Sequence, residues 1–127
     1  NPDIPMVTAA NVLTDRAEIE DPNVVKVVLN KQGRALYFSR SVIPFQRKAD
    51  SSVRYYRHKG IYGFTREFLL RFVRWEPSPL ELTEQLEQLR ALENGAAIQV
   101  IITEDDSIGV DTPEQAAIVT AMLGEAV

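Results

Sequence analysis

The 127-residue chain has one histidine, in the run Tyr55–Phe64, "YYRHKGIYGF". His58 lies between Arg57 and Lys59, and two glycines follow. Read as a strand, the run puts Tyr56, His58, Gly60, Tyr62 and Phe64 on one face, and Arg57, Lys59, Ile61 and Gly63 on the other. Gly60 then leaves a gap between an imidazole and a phenol. These two hydrogen-bonding groups suit a polyhydroxylated molecule, and glycine in a strand often marks close approach by a ligand. A core tyrosine beside a satisfied, partly exposed histidine fits the same pattern, and the residues alone leave both readings open.

Two further places could carry chemistry. In "SPLELTEQLEQLRAL", Glu84, Glu87, Gln88 and Ala91 fall at helical spacing i, i+3, i+4 and i+7, away from the leucines. Such a stripe either faces water or offers a row of acceptors to sugar hydroxyls. In "GVDTPE", Asp111 precedes Thr112, Pro113, Glu114 and Gln115, which already form a helix start with its own cap. That leaves Asp111 available as a carboxylate ligand, for which Mg²⁺ is the natural cation. Asp111 as the cap, with Glu114 as its partner, fits the spacing nearly as well. Glu104, Asp105 and Asp106 read as a solvated loop.

The elements that must position these groups follow from periodicity and punctuation. "PMVTAANVL" reads as a strand, followed by an acidic loop ending at Asp21-Pro22-Asn23. "VVKVVLN" and "RALYFSR" form a hairpin about Gly33. "SVIPFQRKADSS" is a loop, and the strand holding His58 comes next. Thr65 caps a helix with Phe68, Leu69, Phe72 and Val73 at helical spacing, and Phe64 with Leu69 suits a hydrophobic staple. Ser78, Pro79 and Glu81 open a second helix with a capping box. It carries Leu82, Leu86 and Leu89 on one face and stops near Asn94-Gly95. "AAIQVIIT" reads as a buried strand, and "TPEQ" opens a last helix. Strands mixed with helices indicate an α/β fold in a single domain over residues 1–127.

Composition sets outer limits. There are no cysteines, which removes disulfides and thiolate chemistry and is compatible with a reducing cytoplasm. No apolar run approaches membrane-spanning length, so no membrane partner is expected. The net charge of −4 hides a segregation. Residues 34–74 hold ten Lys/Arg against two acids, and residues 75–127 hold eleven acids against Arg90. A basic middle fits an anionic ligand, although two faces that neutralise each other in the fold would look the same. No nucleic-acid reader motif accompanies the cations, so no nucleic-acid partner is expected.

Taken together, "NVVKVVLNKQGRALYFSRSVIPFQR", "YYRHKGIYGF", "EPSPLELTEQLEQLRAL" and "GVDTPE" resemble 3-deoxy-manno-octulosonate (Kdo) cytidylyltransferase, the CMP-Kdo synthetase. The blocks run in the family's order over roughly Ala9 to Ile118. The resemblance implies the C-terminal part of a nucleotide-diphospho-sugar transferase-like fold: a mixed sheet with a β-hairpin excursion and flanking helices. It implies a reaction of CTP with Kdo to give CMP-Kdo and pyrophosphate, with Mg²⁺ as cofactor, in a homodimer serving lipopolysaccharide biosynthesis in the cytoplasm. By the same resemblance, Arg40, His58, Tyr62, Glu87 and Gln88 bind the sugar, Arg47 lies near the substrates, and Asp111 is the catalytic metal ligand.

The chain also departs from the family pattern. The family's glycine-rich loop for the CTP triphosphate and a second metal carboxylate have no counterpart in these residues. The expectation is therefore the sugar-binding and dimerisation half, without the CTP-binding half and inactive alone. The loop from Gln46 to Arg54 is shorter than is common, "ENGAA" replaces a more aromatic and basic stretch, and Lys59 stands where an apolar residue is usual. A non-catalytic oligomerisation module, or a sister enzyme for another acid sugar, are the competing expectations.

Overall fold

Strand β1 (Met6–Leu13) is buried at every position except Val12. A strand covered on both faces belongs in the middle of a sheet. In the computed structural model, which describes residues 4–48 and 52–104, β1 lies between two partners. The long strand β4 (Tyr55–Phe64) pairs with it antiparallel, and β5 (Ile98–Thr103) pairs with it parallel. With β2 (Lys26–Leu29) and β3 (Ala35–Ser39) the sheet order is β3-β2-β4-β1-β5, the mixed α/β sheet expected from the sequence.

The hairpin excursion is present and has a definite course. β2 joins β4 only near its start, through the Lys26–Arg57 pairing and the bond from the His58 amide to the Val25 carbonyl. Its turn is tied by Asn30, whose Oδ1 accepts from the amides of Gln32 and Arg34. Gly33 takes a positive φ of 79°, and a β-carbon there would sit 3.0 Å from Gln99. Both constraints select glycine. The turn then docks on β5: Val100 donates to the Gly33 carbonyl at 2.9 Å, and Arg34 bridges to Gln99. β5 is therefore an edge strand steadied by the hairpin turn. Its buried residues are Ile98 and Val100, while the far end of the same face is exposed at Ile102, so it is not buried throughout.

Two sequence expectations are corrected. The acidic segment after β1 is not all loop. Asp15 caps a short helix, α1 (Arg16–Glu20), because Ile19 can be buried with Leu13, Val24 and Tyr55 in a small second core. The helix opened by Ser78 is not continuous either. It divides into α3 (Pro79–Glu84) and α4 (Leu89–Glu93) around Gln85, which adopts a left-handed φ of 58°. Leu86 and Leu89 are buried while Leu82 is mostly exposed, so the three leucines do not share a face.

Competition for backbone and side-chain groups explains the break. Glu84 is drawn to the hairpin, where it accepts from Ser39 Oγ at 2.6 Å, Tyr37 Oη at 3.2 Å and the Arg40 amide at 3.1 Å. Arg40 in turn donates to the carbonyls of Glu84, Gln85 and Pro22. Carbonyls taken by a guanidinium need no helical partner, and these bonds offset the cost of left-handed backbone at a non-glycine residue, about 1–2 kcal/mol. The two short helices are then stitched together by Arg90, which bonds both carboxylate oxygens of Glu81 at 2.8 and 2.6 Å. Glu81 also accepts from the Ser78 amide, as the capping box required.

Helix α2 (Arg66–Phe72) is capped by Thr65, which accepts from the Phe68 amide. Phe68 and Phe72 are buried, whereas Leu69 and Val73 face outward. Phe64 contacts the Phe68 and Phe72 rings, so they replace Leu69 as its partner at the helix start. The main core joins Met6, Ala10, Phe38, Ile98 and Val100 of the sheet to Phe68, Phe72, Leu86 and Leu89. Among the described residues no helix is long and apolar enough to cross a membrane.

Candidate functional site

The strand carrying His58 is irregular where the sequence placed a gap. Thr8 pairs with Tyr62, but the next residue, Ala9, pairs with Lys59, so Gly60 and Ile61 form a two-residue bulge. An even number of extra residues preserves facing: His58 opposite Ala10 and Tyr62 opposite Thr8 stay on one side of the sheet. The bulge also shortens their separation. Four residues of regular strand would span roughly 13 Å, but here they occupy one two-residue repeat of β1, roughly 7 Å. The His58 and Tyr62 rings lie 5.5 Å apart. Gly60 is exposed in the bulge, and a β-carbon there would meet nothing within 4 Å. It does not form a gap between the two rings, as alternation had suggested.

Tyr62 leads into a pocket of about 140 Å³ lined by Met6, Tyr62, Phe64, Phe72, Glu87 and Gln88. Its apolar wall is Met6, Tyr62, Phe64 and Phe72. Tyr62 and Phe64 belong to an aromatic series that runs from His58 to Phe68, with successive centroids 5.5, 6.0 and 6.1 Å apart. Its polar wall is the segment between α3 and α4, where Glu87 is exposed and Gln88 is 6 % exposed. The helical stripe of the sequence reading is thus split among three roles. Glu84 binds the hairpin, Glu87 and Gln88 line the pocket, and Ala91 is in the core. A continuous helix is not what brings Glu87 and Gln88 to Tyr62. The turn at Gln85 does.

The electrostatics follow from burial. His58 is held neutral, with its pKa lowered by burial from 6.5 to about 4. The Tyr62 phenol is pushed well above its usual value, by burial first and by the negative charge of Glu87 second. At neutral pH both are uncharged hydrogen-bonding groups. Burial disfavours ionised Glu84, yet the bonds from Ser39, the Arg40 amide and Tyr37 outweigh it and keep the carboxyl acidic. Lys26, with the rest of its side chain buried, donates to the carbonyls of Asp21 and Val24, and burial lowers its pKa.

The remaining sequence candidates are more scattered. Arg40 does not line the pocket, and three of its five N–H groups are spent on carbonyls, leaving one on each terminal nitrogen. Arg47 is exposed on the loop after β3. Asp111 and the last expected helix lie outside the described residues. Among the described residues, no three His, Asp or Glu side chains gather as a metal site. Thr8 was not anticipated. Its only sequence signal is a hydroxyl in a largely apolar strand, and its role depends on the bulge.

A five-stranded mixed sheet with a polar pocket beneath its bulged strand now stands beside the comparisons with known proteins. A family profile described as Cytidylyltransferase matches residues 1–102, and the chain belongs to that family. Within it, the chain is similar to 3-deoxy-manno-octulosonate cytidylyltransferases. It is 51% identical over 113 residues to that of Solibacter usitatus, covering 89% of this chain and 45% of the relative. It is 48% identical over 131 residues to that of Syntrophotalea carbinolica, covering 97% and 52%. Its fold matches a solved structure of CMP:2-keto-3-deoxy-manno-octonic acid synthetase complexed with CTP, with a TM-score of 0.79 and 37% identity, covering all of this chain and 52% of that one. The chain spans about half the length of the curated relatives it matches.

Proposed function

We propose that the complete enzyme containing this chain joins CTP to Kdo, giving CMP-Kdo and pyrophosphate, and that this chain supplies the sugar pocket. The observation that carries the reading is the convergence of Tyr62, Glu87 and Gln88 on one pocket beside neutral His58, in a chain of this family. A phenol, an amide, a carboxylate and an imidazole offer both donors and acceptors to a polyhydroxylated ring, while Met6, Phe64 and Phe72 take its apolar edges. The two free N–H groups of Arg40 are assigned to the sugar carboxylate, and Arg47 is assigned to the rim. Mg²⁺ is the proposed cofactor through Asp111, where it would offset the charge of the phosphates. The dimer is proposed to form through the hairpin, where exposed Leu36 borders a groove of about 530 Å³ with Val28, Leu29, Pro44 and Tyr56.

The deciding experiment is an assay of the complete enzyme for pyrophosphate release from CTP, with Kdo set against other acid sugars. Release with Kdo is expected, and turnover of a different acid sugar alone would reject the substrate. Asp111→Asn in the same enzyme is expected to cripple turnover with the fold intact, and wild-type rates would make Asp111 a helix cap only. A monomer in light scattering would remove the dimer.

A further inference from the structure

Thr8 is 2 % exposed, and its hydroxyl stands among three polar atoms. Oγ1 lies 2.7 Å from the Ile61 carbonyl oxygen, 3.2 Å from the Lys59 carbonyl oxygen and 2.9 Å from His58 Nε2. A hydroxyl has a single proton, and carbonyl oxygens can only accept. If that proton pointed at His58, the Thr8 oxygen would face two carbonyls lone pair to lone pair, one of them at 2.7 Å. The proton therefore belongs on the bond to Ile61, and Oγ1 accepts from the ring. This requires hydrogen on Nε2. Neutral imidazole carries only one, so Nδ1 is left bare. Nδ1 bonds to none of the described residues.

We propose that Thr8 is a positioning residue, fixing His58 in the tautomer protonated at Nε2 so that Nδ1 meets the ligand as an acceptor only. The same hydroxyl donates to the Ile61 carbonyl just after Gly60, so bulge geometry and tautomer depend on one atom. The proposal rests on the sugar-pocket reading for its ligand. Within that reading, His58 selects for a ligand hydroxyl and against a carboxylate, because a bare nitrogen attracts a donor and repels an anion. The acidic group of the sugar must then be met elsewhere, which divides the labour between His58 and the cations.

The chain has one histidine, so ¹⁵N-histidine labelling reads His58 alone. Two-bond ¹⁵N–¹H correlations on the full chain at pH 7 are expected to give the Nε2–H pattern in wild type and in Thr8→Ser. Thr8→Val, which keeps the shape without the hydroxyl, is expected to admit a substantial Nδ1–H population. An Nδ1–H pattern in wild type overturns the proposal. So does an unchanged tautomer in a Thr8→Val protein whose amide spectrum remains folded. If Thr8→Val does not fold, loss of the Nε2–H pattern in Thr8→Ser overturns it instead, and its retention supports it. In the complete enzyme, Thr8→Val should raise KM for Kdo about tenfold, leave KM for CTP unchanged, and be rescued by serine. Equal rises for both substrates overturn the positioning role. A wild-type enzyme that ignores Kdo but shows the Nε2–H pattern would remove the substrate reading and leave the tautomer assignment standing.

Discussion

Neutral His58 implies a stability penalty in mild acid whose size can be worked out from the structure. In the unfolded chain the imidazole takes a proton near 6.5, whereas in the fold burial holds it off until about 4. Between those values the unfolded state binds more protons than the native one, so stability falls as pH falls, and the loss is complete near pH 4. At about 1.4 kcal/mol per pH unit, the lowering from 6.5 to about 4 corresponds to about 3 kcal/mol. The perturbation is His58→Gln, which keeps an N–H for Thr8 and cannot titrate. Urea unfolding of both chains at intervals from pH 7.5 to 4 isolates the term, because every carboxylate contributes equally to the two series. The wild type should lose about 3 kcal/mol more than the variant, with the divergence beginning near pH 6.5. Parallel profiles would refute the reasoning and mean that His58 is hydrated or paired with a charge.

Other consequences are equally direct. Arg90→Met breaks a pair whose side chains are only 14 and 10% exposed, so it should cost about 3 kcal/mol in urea unfolding. Arg90 first of all, and the Ser78 amide with it, hold Glu81 below its usual pKa. Stability from Glu81 is therefore present above the ordinary carboxylate range and lost as pH falls through its lowered value, and Arg90→Met should flatten that part of the profile. Glu84→Ala strips bonds from Ser39, Tyr37 and the Arg40 amide and should cost about 2–4 kcal/mol. Because it also loosens the turn at Gln85, KM for Kdo in the complete enzyme should rise with it, and an unchanged KM would mean that Glu87 and Gln88 are positioned independently. Tyr62→Phe should raise KM for Kdo by about ten- to a hundredfold without moving KM for CTP, as steady-state kinetics would show.

Much of the architecture was legible because it is encoded over short distances. The hairpin announced itself by a β-branched run and an aromatic-bearing run on either side of Asn30 and Gly33. The starts at Thr65 and Ser78 did so by side chains and amides three residues apart: Thr65 accepts from the Phe68 amide, and Glu81 accepts from the Ser78 amide. The break at Gln85 was not legible. Nothing within five residues of Gln85 disfavours helix. The cause is Arg40 and Ser39, more than forty residues earlier, competing for Glu84 and its carbonyl. The strand face was half legible. Alternation correctly put His58 and Tyr62 together, but only because the bulge happens to insert two residues and not one.

The types of group in and beside the pocket are a property of the sequence alone: a phenol and a Glu-Gln pair lining it and a histidine next to the phenol, in an order that matches one family. Local spacing can carry that much, since periodicity and capping are set by neighbours along the chain. Their meeting is a property of the tertiary structure. The two-residue bulge held by Thr8 brings His58 to Tyr62, and the left-handed turn held by Arg40 swings Glu87 and Gln88 over them. Both devices rest on hydrogen bonds between residues about fifty positions apart, a distance over which no sequence period operates.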